Sequence, residues 1–212
     1  MYEVKKISYQ DTKDFILNKH YAQRMPSITF AYGLFDREKI VGVLTIGKPA
    51  SNSLCEGICG KECKEKVYEL NRLITLDGLK ENALSYFVSR ALKDLKERKL
   101  IIVSYADTGM NHNGYIYQAT NFIYTGKTKE RTDKYTEGNK HSRHYNEENK
   151  HLRKVRTSKH RYVYFTGDRK KYLKKLNYDV LPYPKGENKN YNLGERQKIK
   201  VIDKKEMKEY FI

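Results

Sequence analysis

The chain has 212 residues, a length typical of a single domain, and it contains 38% apolar and 33% charged residues. No apolar run approaches the length of a membrane span, and the first residues do not resemble a signal peptide. The formal net charge of +17 at pH 7 and the 19 tyrosines favour a polyanionic partner, because cations meet phosphates and aromatic faces stack on bases. A basic surface without such a partner is the alternative.

The positive charge is concentrated in one region of the sequence. Residues 127–175 contain 17 Lys and Arg against 6 Asp and Glu. We therefore expect nucleic acid to bind through the basic region 128–175. Within it, 128–158 is predicted to be an insertion or long loop. Its histidines, together with the one that follows it, could contribute to a metal site or face phosphates and solvent. These residues are His141, His144, His151 and His160.

The elements follow from hydrophobic periodicity and from capping signals. In chain order we predict a strand at 2–7, a helix at 8–18, a hairpin of strands 28–35 and 40–46, a connector at 47–66, a strand at 67–75, an amphipathic helix at 81–98, a buried strand at 100–105, a helix at 115–121, strands at 122–127 and 161–166, and a basic helix at 169–176. This order predicts an α/β (α+β) fold with a mixed central sheet flanked by helices. We expect one domain at 1–185 and a polar tail at 186–212.

The connector 47–66 holds the only cysteines, Cys55, Cys59 and Cys63. Three thiols cannot all pair within one chain, so a reducing, cytoplasmic setting is expected. Their spacing is not a zinc pattern. The alternatives are a cluster site and loop cysteines without a shared role, and the second is our interpretation.

Asp107 and Tyr117 are the leading catalytic candidates. Asp107 stands where the buried strand 100–105 ends, which is the edge of an open α/β sheet at which sites form. A carboxylate there can accept protons from an exocyclic amine whose lone pair is delocalised into a base, and a nearby tyrosine can stack on that base. The alternatives are that Asp107 caps the following helix and that Tyr117 packs in the core.

Three further positions have both a functional and a structural interpretation. His20, which precedes Tyr21 in a polar loop, could ligate a metal, shuttle protons or be structural. Arg72 interrupts an apolar strand. It could bind a phosphate or a carboxylate, which is the functional interpretation, or it could form a structural ion pair. Ser85 stands near the start of the long helix, where anions bind, or is an ordinary helix-start serine.

Several short motifs stand in a characteristic order along the chain: His20-Tyr21, Glu69-Leu70-Asn71-Arg72-Leu73, Asn82-x-x-Ser85, Asp107, Gly114-x-x-Tyr117-Gln118-Ala119-x-Asn121-Phe122, Tyr124-x-Gly126, Lys159-His160-Arg161-Tyr162 and Tyr183-Pro184-Lys185. Their order and spacing over about residues 15–185 resemble the Mom family of bacteriophage DNA-modification proteins. The predicted element order is likewise that of the GNAT acyltransferase fold, an analogy of topology.

The resemblance implies a GNAT-like fold and an enzyme that converts adenine in duplex DNA to an N6-carbamoylmethyl (acetamido) derivative, protecting phage DNA from host restriction in the cytoplasm of the bacterium. It implies Tyr21, Asp107 and Tyr117 as catalytic residues and Arg72 and Ser85 at the cofactor pocket. It also implies iron and a carbamoylmethyl donor that it does not identify. His20 and Asp107 are our candidate ligands for the metal.

One departure from ordinary GNAT enzymes concerns the donor. Those enzymes have a glycine-rich turn before the long helix that cradles the CoA pyrophosphate, whereas the turn 76–83 here has a single glycine, Gly78. This argues against conventional acetyl-CoA binding. Two alternatives to a DNA-modifying enzyme remain: a GNAT-type N-acetyltransferase acting on a non-DNA amine, and a non-catalytic DNA-binding protein.

Overall fold

A computed structural model describes residues 1–137, 144–187, 193–195 and 198–212. Within these residues, eleven strands form two sheets. The strands are β1 (Tyr2–Lys6), β2 (Phe30–Asp36), β3 (Lys39–Gly47), β4 (Val67–Thr75), β5 (Ile101–Asp107), β6 (Ile123–Lys127), β7 (Arg131–Lys134), β8 (Leu152–Arg156), β9 (Lys159–Phe165), β10 (Lys200–Asp203) and β11 (Lys208–Phe211). The α-helices are α1 (Tyr9–Asp14), α2 (Asn52–Cys59), α3 (Ala83–Asp94), α4 (Tyr115–Ala119) and α5 (Arg169–Leu173).

The large sheet has seven strands in the order β1-β2-β3-β4-β5-β9-β6. The pair β4 and β5 is parallel and every other neighbouring pair is antiparallel. The mixed central sheet flanked by helices, which the sequence predicts, is therefore confirmed. The strand predicted at the start of the chain, β1, is an outermost strand of this sheet.

Local sequence signals explain how several elements begin. Ser8 caps α1 through a capping box, in which the Ser8 hydroxyl accepts from the Asp11 amide and the Asp11 carboxylate accepts from the Ser8 amide. Beyond α1 the helix continues as a π-helical turn over Phe15–Lys19, directly before His20. The apolar face of α3 is buried against the large sheet, with Phe87, Val88 and Ala91 fully inaccessible. In the described residues no helix combines the length and apolarity that a bilayer span requires.

The two parallel strands separate soon after they pair. Pairing between β4 and β5 is confined to Val67–Glu69 and Ile101–Val103, although both strands continue. A bulge contributes to the separation, because Arg72 pairs with Thr45 and Leu70 with Ile46, which leaves Asn71 as the extra residue. A bulge bends a strand and increases its twist. The gap between the diverging strands positions the candidate site.

The connector 47–66 is helical, which corrects the expectation of a loop. It contains α2 and a 3-10 segment at Lys61–Lys66. All three cysteines are buried free thiols in a second apolar cluster beneath the large sheet. They pack there with Ile58 and Val67 as small hydrophobic side chains.

The basic insertion also differs from the predicted loop, because it contributes β7 and β8 to a second sheet. This four-stranded insertion sheet has the order β11-β10-β8-β7. The segment 186–212, predicted to be a polar tail, supplies its other two strands. Val201 of β10 pairs with Lys154 of β8, so residues distant in sequence complete one sheet. The expected histidine group falls partly outside the described residues, since His141 lies beyond them.

Candidate active site

A cavity of about 660 Å³ opens where β4 and β5 separate. Its walls come from β4, the carboxyl end of β5, the start of α3, the start of α4 and the loop after His20. This volume lies within the range of small-molecule sites. Five of the six predicted site residues line it: His20, Tyr21, Arg72, Ser85 and Tyr117.

Aromatic rings stand at one side of the cavity. The Tyr21 ring lies 4.2 Å from the ring of His20 and 6.4 Å, edge-on, from the ring of His112. Tyr21 is only partly buried, so one face of this group is accessible from the cavity. An aromatic surface of this kind suits the stacking of a planar base.

His20 is buried and electrically neutral. Its Nδ1 accepts a hydrogen bond from the amide of Ala22 at 3.0 Å, which places the imidazole proton on Nε2. Burial, and then the positive charges of Arg72, His112 and Lys159, lower the pKa of His20 to about 3. Arg72 and Lys159 give this part of the cavity a positive potential, which suits an anionic group on a ligand.

Backbone carbonyls hold Arg72 in place. Its guanidinium donates to the carbonyl of Asn71 at 2.6 Å and to the carbonyl of Arg24 at 2.8 Å. Asn71 is fixed in turn, donating to the carbonyl of Ser27 and accepting from the hydroxyl of Thr45. Both residues line the cavity because the bulge breaks the strict alternation of side chains along β4.

Asp107 is the last residue of β5 and its carboxylate is fully engaged. One oxygen accepts from the Thr157 hydroxyl at 2.5 Å and from the Gly109 amide at 2.9 Å, while the other pairs with Lys159 at 3.0 Å. Asp107 itself does not line the cavity, whereas Lys159 does. The carboxylate thus caps the turn Thr108–Met110 and holds the Lys159 ammonium at the cavity wall.

Tyr117 lies in an aromatic cluster behind α4. Its ring is 5.2 Å from the ring of Phe122 and 5.2 Å from that of Tyr162. Gly114, the residue that precedes α4, has a φ of +76° and touches the Tyr162 ring so closely that a Cβ would lie 2.5 Å from it. Glycine at this position therefore lets α4 approach the cluster and present Tyr117 to the cavity.

The cavity also contains a carboxylate that sequence reasoning did not select, that of Glu69. Burial raises the pKa of Glu69 above its ordinary value of 4.5, while Lys159 and Arg72 oppose the rise. The neighbouring Tyr105 is also on the wall, and its pKa is raised by burial first and then by the charge of Glu69. A carboxyl group with a raised pKa in a cavity is a candidate proton acceptor.

The donor set does not fit the metal centre that the family resemblance implies. Nδ1 of His20 is occupied by a backbone amide, and both oxygens of Asp107 bind protein donors. Among the residues that the structure describes, no three His, Cys, Asp or Glu side chains come together as ligands. We therefore derive no chemical step through iron.

The model of the Mom protein family matches residues 1–185, most of the chain. The chain belongs to the Mom protein family. Several of the sequence motifs that resemble this family contribute a residue to the cavity wall. These residues are Tyr21 of the first motif, Arg72 of the second, Ser85 of the third and Tyr117 of the fifth.

Among known Mom proteins, the chain is similar to the methylcarbamoylase Mom of Escherichia phage Mu, with 28% identity over 127 residues. That alignment covers 58% of this chain and 53% of the phage Mu protein, so the chain matches about half of its relative's length.

Solved structures of acetyltransferases are similar to this chain at low sequence identity. An N-acetyltransferase of Staphylococcus aureus matches with a TM-score of 0.48 and 11% identity, covering 78% of this chain and 99% of that one. A GNAT-family acetyltransferase of Bacillus cereus matches with a TM-score of 0.42 and 14% identity, covering 78% and 97%.

Each predicted residue of this Mom protein has a definite place. Ser85 donates its hydroxyl to the Asn82 carbonyl at 3.0 Å, as a helix-start serine does, and it also faces the cavity. Asp107 is the one candidate outside the cavity wall. The residues that sequence reasoning missed are Glu69, Tyr105, His112 and Lys159. Glu69 alone carried a signal, a lone acid in an apolar strand.

Proposed function

We propose that this Mom protein is a DNA-modifying transferase that attaches a carbamoylmethyl (acetamido) group to N6 of adenine in duplex DNA, and that the modification protects phage DNA from host restriction. The cavity between β4 and β5 carries the proposal, because it joins an aromatic surface, a proton-accepting carboxylate and two fixed cations. Membership of the Mom family supports it, as does the similarity to a methylcarbamoylase.

The chemistry must overcome the poor nucleophilicity of the adenine amine. In the proposed arrangement the base leaves the duplex and stacks against Tyr21 or Tyr117. N6 attacks the methylene carbon of the donor, the bond from that carbon to its leaving group breaks with its electron pair, and a proton passes from N6 to a carboxylate. Base stacking orients the amine, so that N6 is already positioned for attack on the donor when both are bound.

Two carboxylates line the cavity, those of Glu69 and Asp77, and Asp77 is exposed. Glu69 is the more buried of the two, so we assign the proton-accepting role to it. The sequence predicts that Asp107 activates the amine, and that role stays a prediction. In the arrangement described here Asp107 binds Lys159 and the following turn, which makes it a positioning residue for the cation on the wall.

Arg72 and Lys159 are the groups proposed to hold an anionic part of the donor. The guanidinium is fixed by two carbonyls and the ammonium by Asp107, so neither needs to be ordered when the donor binds. Ser85 at the start of α3 adds a hydroxyl and the positive end of the helix dipole.

Nucleoside mass spectrometry of DNA from cells that express the protein tests the proposal. We expect carbamoylmethyladenine with the unmodified protein, none with Glu69→Gln, and an unchanged amount with Asp94→Asn. Asp94→Asn is the control because it makes the same acid-to-amide change at a carboxylate that binds Lys6 and Tyr32 and does not line the cavity. Unmodified adenine in all samples would overturn the proposal, and tight acetyl-CoA binding without DNA binding would favour an acetyltransferase of another amine.

A further inference from the structure

The basic region 128–175 is not one surface, because the fold sends its two halves to opposite ends of the large sheet. β5 and β9 are antiparallel, with Asp107 opposite Lys159 at one end and Ile101 opposite Phe165 at the other. The cavity lies at the end marked by Lys159. The elements that leave from that end are therefore separated from those that leave from the other end.

The insertion leaves and returns at the cavity end. β6 ends at Lys127, which pairs with His160, and Thr128 is bonded in both directions to the backbone of Lys159. The return segment is tied to the same place, since the Thr108 amide and hydroxyl donate to the Ser158 carbonyl. The strands β7 and β8 thus project from the rim of the cavity.

The basic helix α5 begins at the opposite end. It follows β9 beyond Phe165, and its Tyr172 stacks on Phe165 and donates to the carbonyl of Lys99, just before β5. The seven residues of β5 span about 20 Å at the usual rise per residue. A base bound in the cavity would therefore be separated from α5 by about the length of β5.

Exposed cations occur at both ends. At the cavity rim three of them alternate along the chain between β6 and β7; we name this set, Lys127, Lys129 and Arg131, the rim cations. All three are exposed, and three-quarters of the Arg131 side chain is accessible. On α5 and at the residue that follows it, the comparable set is Lys170, Lys171 and Lys174, which are also exposed.

We propose that duplex DNA is held at the cavity rim by Lys127, Lys129 and Arg131 beside the insertion sheet, and that α5 takes no part in holding it. The inference rests on the proposed function, because a base enters the cavity only if its duplex lies across the rim. A duplex in that position meets phosphate-binding cations on the insertion side. The cations of α5 lie at the opposite end of the sheet.

Salt dependence of binding separates the two sets. We suggest replacing the rim cations with Ala in one triple variant, and Lys170, Lys171 and Lys174 with Ala in another. Both variants lose three positive charges, so a general effect of net charge is the same in each. Binding of a fluorescently labelled DNA duplex is then followed by anisotropy over about 50 to 200 mM salt.

Each lost phosphate contact lowers the slope of log affinity against log salt by about 0.9. We expect the rim variant to lose up to about 2.7 from the slope and the α5 variant to keep the slope of the unmodified protein. Thermal unfolding of both variants checks that the exposed substitutions leave the fold intact. The binding measurement requires no donor, so it reports on DNA binding independently of the transfer reaction.

An equal or larger loss of slope in the α5 variant would overturn the assignment of the surface while leaving the proposed function in place. An unchanged slope in the rim variant would do the same. If the unmodified protein bound no DNA, the proposed function would fail together with this inference.

Discussion

Replacing Gly114 with Ala should destabilise the protein and disturb the cavity together. Two effects contribute to the loss. A left-handed backbone, φ +76° here, costs an L-residue about 1–2 kcal/mol. The new Cβ would also lie 2.5 Å from the Tyr162 ring, and forced overpacking of this kind costs about 1–3 kcal/mol.

The expected total is about 2–5 kcal/mol, which for a chain of this size lowers Tm by about 5–20 °C. Gly78→Ala is the matched control, because Gly78 has a φ of +74° and its new Cβ would have none of the described atoms within 4 Å. It should lose only the backbone part, about 1–2 kcal/mol. Calorimetry or circular dichroism on both variants measures the difference between them.

The structural reasoning would be refuted if the two glycine variants lost equal stability. It would also be refuted if Gly114→Ala modified DNA normally, because Tyr162 packs directly on Tyr117. A shift of the Tyr162 ring therefore moves a residue of the cavity wall.

Glu69→Gln should abolish modification yet raise Tm at neutral pH. Burial raises the folded-state pKa of Glu69, so the contribution of Glu69 to stability falls as the pH rises above 4.5. The gain in Tm over wild type should therefore vanish in unfolding scans below pH 4.5. A variant less stable than wild type at pH 7 would contradict this. Cys59, whose pKa burial raises to about 12, should resist iodoacetamide in the native protein and react in urea, as peptide mass spectrometry would show; rapid native labelling would argue against burial. Ser8→Ala removes a capping box and should cost about 1 kcal/mol in a urea titration, with no change in modification.

Periodicity predicted most of the large sheet because its strands and helices carry their own signals. The hairpin of β2 and β3 and the buried face of α3 are encoded in local sequence patterns. The capping box at Ser8 can be recognised from four residues. The end of β5 at Asp107 likewise followed from one short apolar run. These elements could be predicted from the sequence.

The insertion sheet could not be predicted, since its strands pair across long separations. β8 pairs with β10, whose Val201 stands 47 positions after Lys154. Strands of four or five residues rich in lysine and arginine carry no alternating apolar pattern. Non-local pairing decides their conformation, and a single sequence does not display it.

The candidate site was predicted by residue type but not by geometry. Tyr21, Arg72 and Tyr117 line one cavity as a catalytic site requires. Which carboxylate faces that cavity depends on the bulge at Asn71 and on the ion pair of Asp107 with Lys159, and neither feature has a sequence signature. The position of Glu69 on the cavity wall therefore emerged only from the folded chain.

The outer strands of the insertion sheet, β7 and β11, each leave one side without a neighbouring strand in the described part of the chain. Such open edges can recruit a strand from another molecule and start aggregation. Charged side chains along β7, among them Arg131, Asp133 and Lys134, oppose that association. Arg131, one of the residues proposed to hold DNA, thus also belongs to the charges expected to oppose strand pairing between copies. Light scattering on the rim variant would show whether losing that charge promotes self-association.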